Sequence, residues 1–148
     1  MQVLERFTDR LIARQREMYA APGAFIDKWR TAMRYLDEDE SSGYAKVWFE
    51  LQAMGWNDPE MRKRVVNVDR TWVKVITEAF DKAMTEYGLD RTQFPLEALV
   101  TLVATFNEGV HLERLSGIRS GHSALLKWID HWLESLEANK RTRTSAAR

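Results

Sequence analysis

The chain has 148 residues, enough for one domain with a sizeable core. Lys plus Arg and Asp plus Glu are 22 each, so the formal net charge is zero, and the 45% hydrophobic and 30% charged content is an ordinary globular mix. There is no Cys, which excludes disulfides, thiolate metal sites and Cys nucleophiles, and zero net charge is not the signature of a nucleic-acid-binding domain. The apolar run from Ala98 to Phe106 is too short to span a bilayer, so no membrane association is expected. The opening residues lead straight into a charged helical pattern, and a signal peptide is not expected; a cytoplasmic protein is.

The first helix is predicted over 3–19, where Leu4, Phe7, Leu11, Ile12 and Met18 recur near helical spacing. Pro22 and Gly23 end it. Phe25, Ile26, Trp29, Met33 and Leu36 make a second stripe, and the acidic run 37–43 reads as a solvated loop. Tyr44, Val47, Trp48, Leu51 and Met54 form a short third helix that Gly55 ends. The fourth helix is the clearest. Asp58 is a good N-cap, Pro59 suits the first position, and one apolar face continues to Tyr87 before Gly88. A fifth helix follows Pro95 to about Ser116, and a sixth runs from Ser123 to about Glu137. Four of the bases lie in the last nine residues with no acid. Residues 139–148 are therefore expected to be a disordered basic tail. No strand pattern competes, and the fold class is all-α, a six-helix bundle.

The last two helices are apolar on more than one narrow stripe, which requires cover from more than one side. A second subunit would supply it. Gly109 in mid-helix costs about 1 kcal/mol against Ala, and close approach of another helix would explain it.

Catalytic signals are poor. The spacing of Glu108 and His111 occurs once, whereas di-iron bundles need two such pairs and two further glutamates. No phosphate loop, nucleophile elbow or zinc motif occurs. Neither an enzyme nor a metal or cofactor site is expected. Residues 51–66, with the basic cluster Arg62, Lys63 and Arg64, could suggest a helix-turn-helix, but the helix after the turn presents a core stripe rather than a reading face. The other feature is aromatic richness. Trp29 with Met33, Trp48 with Gln52, and Trp72 with Ile76 fall on the core-facing stripes of three successive helices. Gln52, Thr105, Asn107 and His111 lie in or beside apolar stretches. An apolar ligand cavity with sparse polar anchors needs this pattern, and so does a packed core.

Three segments in order resemble the regulatory half of tetracycline-repressor-type (TetR) transcription factors. They are KVWFELQAMGWNDPEMR at 46–62, ALVTLVATFNEGVHLER at 98–114 and ALLKWIDHWL at 124–133. The opening VLERF at 3–7 is similar to that family's linking helix, and the likeness covers roughly residues 2–138. The resemblance implies a homodimer in which the last two helices build a four-helix interface. It implies a small hydrophobic or aromatic effector held among the helices at 24–36, 44–56, 59–87 and 95–116. Under it, Trp29, Met33, Trp48, Gln52, Trp72 and Ile76 are pocket candidates, and Asn107 is a polar anchor. Phe106, Gly109, Val110, Ile129 and Leu133 are dimer candidates, and Trp132 could serve either role. The family's N-terminal DNA-binding segment has no counterpart here, so DNA is expected to be reached only through a missing domain. The alternative expectation is a headless interaction module that heterodimerises with full-length relatives without a ligand.

Overall fold

A computed structural model describes residues 2–147, with the side chains of 6–147. The described residues form six helices and no strand: α1 (Gln2–Ala20), α2 (Phe25–Ser41), α3 (Tyr44–Gly55), α4 (Pro59–Tyr87), α5 (Leu96–Leu115) and α6 (His122–Ala146). The all-α expectation holds. No helix among the described residues is long and apolar enough to cross a membrane.

The long α4 is the central element, packed against α1, α3, α5 and α6. Its start follows from local chemistry. Asp58 Oδ1 accepts from the backbone N–H groups of Glu60 (2.9 Å) and Met61 (3.2 Å), satisfying donors that have no partner inside the helix. Its end is Gly88 at φ +64°, a left-handed position that favours glycine. The turn from α3 into α4 is tight: a side-chain carbon on Gly55 would meet the Arg62 backbone at 3.2 Å. Arg62 reaches back to the carbonyls of Gly55 (2.9 Å) and Trp56 (2.7 Å). That base therefore holds the corner together and is not a free group on a DNA-reading face.

One hydrophobic cluster joins Phe25, Ile26 and Trp29 of α2 to Ala83 and Tyr87 of α4 and Leu133 of α6. Phe25 meets Phe80 and Tyr87 edge to face, at 5.3 and 6.2 Å between centroids, a favoured geometry for aromatic quadrupoles.

Two expectations need correction. The acidic run 37–43 is not a loop, because α2 continues through Ser41. Four like charges in one turn repel, but bases from two other helices offset them. Arg14 of α1 pairs with Glu38 (3.0 Å) and Asp39 (2.8 Å). Arg114 of α5 pairs with Asp37 (2.7 Å) and Glu40 (3.1 Å). The basic tail is likewise helical to Ala146 rather than disordered. Lys140 donates to Glu86 and Arg143 to the Tyr87 carbonyl, each at 2.5 Å. The C-terminal end of α4, with its free carbonyls and negative dipole end, gives those bases a partner.

Candidate functional site

A cavity of about 420 Å3 lies among α2, α3, α4 and α5, with Gln15 and Tyr19 of α1 at its side. That size falls within the range of small-molecule sites. Helix periodicity builds its walls. On α4, Asp69, Trp72, Val73 and Ile76 follow the spacing of one helix face and all line the space. On α5, Val100, Ala104, Asn107, Glu108 and His111 do the same. Trp29, Met33 and Leu36 close it from α2, and Tyr44, Trp48 and Phe49 from α3.

Six of the seven pocket candidates line this space: Trp29, Met33, Trp48, Trp72, Ile76 and Asn107. Gln52 does not. It stands behind the wall, where its Nε2 donates to Glu108 at 2.7 Å, while the indole Nε1 of Trp48 donates to the same oxygen at 3.2 Å. Gln52 thus orients a lining carboxylate.

The polar part of the lining is uneven. Asp39 is nearly buried, and burial raises its pKa above the usual carboxylate value against the pull of Arg14. Asp69 is also raised, first by burial and then by the like charge of Glu108. Burial, seconded by Arg114, lowers His111 below the ordinary histidine value. Tyr19 is pushed up to about 12 by burial, so its phenol stays neutral. Two buried polar atoms of the lining residues have no hydrogen-bond partner among the described residues: Asn107 Oδ1 and His111 Nδ1. Buried polar atoms are normally satisfied, so these two mark where a ligand or a water would bond.

Sequence reasoning passed over Tyr19, Tyr44, Phe49 and Asp69, and read Glu108 only as half of a metal motif. For Asp69 a signal existed. It lies three residues before Trp72 and seven before Ile76, on the same face as both pocket candidates.

The dimer candidates divide differently. Val110 and Leu133 are 5% and 4% exposed, already covered by the chain's own helices. Phe106 and Ile129 are half-buried and pack on the core cluster. Gly109 is on the open face, with nothing within 4 Å of where a side chain would start. The exposed large apolar residues of these two helices are instead Leu102, Leu112 and Leu115 of α5 and Leu125 and Trp128 of α6, with Leu102 and Trp128 64% and 65% exposed. The phase of the two helices therefore differs from the expected one by about one position. No protein-family profile, curated protein or solved structure matches the chain.

Proposed function

We propose that the chain is the ligand-sensing and dimerisation domain of a TetR-type transcriptional regulator, acting in the cytoplasm. The observation that carries the reading is the aromatic-walled cavity, which gathers six of seven candidate residues from four helices. Its effector is a small, mostly apolar molecule held by Trp29, Trp48 and Trp72, with Asn107 as an anchor. Ligand would favour one arrangement of α4 against α1, with which it packs, and so shift the population of states. A helix-turn-helix outside these residues would turn that shift into altered operator binding.

A thermal-denaturation screen with apolar aromatic compounds tests the sensing claim. A ligand at ~100 times its dissociation constant should stabilise the fold by about 2.7 kcal/mol. The same compound should lose most of its effect on Trp72→Ala. A screen in which no compound moves the melting curve would sink the reading.

The uncovered face of α5 and α6 favours a second reading, a headless module that pairs with full-length relatives. It predicts the same assembly through Leu102, Leu112, Leu125 and Trp128, but no response to any ligand.

A further inference from the structure

The lining of the cavity is unbalanced in charge. Three carboxylates face it, those of Asp39, Asp69 and Glu108, and no Lys or Arg does. Asp39 is accounted for, since Arg14 holds it at 2.8 Å. Asp69 of α4 and Glu108 of α5 are not. Neither forms an ion pair among the described residues, and the charge of Glu108 acts on Asp69. Arg70 also acts on Asp69, but it does not line the cavity. The two donors to Glu108, Trp48 Nε1 and Gln52 Nε2, are neutral. They aim the carboxylate without cancelling its charge. The rings of Trp48 and Trp72 share this lining, Trp48 meeting Glu108 through its N–H edge, and an aromatic ring attracts a cation over its face. The unpartnered Asn107 Oδ1 is a further acceptor in the lining. Acceptors, carboxylates and aromatic rings together favour one sign of ligand charge.

We propose that the cavity selects a lipophilic organic cation, an aromatic or apolar body carrying a cationic nitrogen, with Asp69 and Glu108 as its counter-charges. The proposal rests on the reading of the cavity as an effector site and narrows its ligand class. Both acids are exposed at the open side of the cavity, where water screens much of their mutual repulsion. A cation bound there supplies a counter-charge shared by α4 and α5. The apolar body of the ligand then fills the space between Trp29, Met33 and Ile76.

The test is a charge series on one skeleton: biphenylmethylammonium, biphenylmethanol and biphenylcarboxylate. Binding to the full chain is read by quenching of tryptophan fluorescence and by calorimetry. The ammonium should bind ~10-fold or more tighter than the alcohol, and the carboxylate weakest. The Asp69 side chain is exposed and makes no hydrogen bond or ion pair to another described residue's side chain, so Asp69→Asn should leave folding intact. It should reduce the preference for the ammonium, and Asp69→Asn with Glu108→Gln should bring the ammonium-to-alcohol affinity ratio to about one. Equal binding of all three compounds would overturn the charge selection and leave the cavity as an effector site. Tighter binding of the carboxylate would overturn it too. No binding by any of the three would overturn the proposal together with the sensing reading on which it rests.

Discussion

Arg14 shows how one side chain links sequence, fold and site. It reaches from α1 to Asp39, a nearly buried carboxyl that lines the cavity, and lies over the Tyr35 ring at 3.8 Å. Removing one partner of such a pair leaves a carboxylate in a poor solvent. Arg14→Gln should therefore destabilise the fold at neutral pH by about 2 kcal/mol, below the range for fully buried pairs because Arg14 keeps some exposure. The sign with pH follows from Asp39, whose pKa in the folded state is already raised by burial. The variant raises it further. As pH falls through that value the carboxyl takes a proton and the cost disappears. Urea denaturation of both proteins at neutral and acid pH measures this, and Asp39→Asn in the Arg14→Gln background should recover much of the loss.

His111 acts in the opposite direction. Its folded pKa lies below the ordinary 6.5, so below that pH the unfolded chain binds a proton that the folded chain resists. The associated stability is complete above 6.5 and is lost as pH falls toward the lowered value. His111→Gln should remove that part of the pH dependence. Denaturation curves of the two proteins should separate between neutral pH and about pH 5. A constant difference across the range would refute the assignment.

At the scale of elements, α4 organises the molecule and its start can be tested directly. Asp58 satisfies two backbone donors at that end. Asp58→Ala should cost about 1 kcal/mol, the usual effect of losing a cap, read as an earlier denaturation midpoint with an unchanged slope. The helix limits show which parts were legible. The Asp58–Pro59 start and the Gly88 end of α4 were readable because caps are local chemistry. The ends of α2 and α6 were not. Residues 37–41 and 139–146 become helical only when Arg114, Arg14, Glu86 and the Tyr87 carbonyl arrive from other helices. Those partners lie 24 to 77 positions away for α2 and 54 to 56 away for α6, so no local window contains them.

For the molecule as a whole, the uncovered apolar face is the feature that a single chain leaves unresolved. Leu102 and Trp128 are each about two-thirds exposed, and Gly109, between Leu102 and Leu112 on α5, offers room for another backbone. A second copy related by a two-fold axis would bury the face against itself. The chain should run as a dimer in light scattering after gel filtration. Trp128→Glu should give a folded monomer, whereas changes at Val110 or Leu133 should lower stability, since those residues are already core. A wild-type monomer, or a Trp128→Glu variant that stays dimeric, would exclude this face as the interface.

By itself, the sequence determined the helical class, the order of the six helices and the caps of α4, each of which depends on spacing or on contacts within a few residues. The six expected side chains that line the cavity were reached through the family resemblance, since spacing alone fits a packed core equally well. The tertiary structure decided the rest. It set the rotational phase of α5 and α6, which exchanged Val110 and Leu133 for Leu102 and Trp128 on the open face. It extended α2 and α6 through charge pairs between distant positions. It also brought Asp69 and Glu108 to one cavity lining that contains no Lys or Arg. Phase and long-range pairing depend on how whole helices pack, and local periodicity carries no information about a neighbour from elsewhere in the chain.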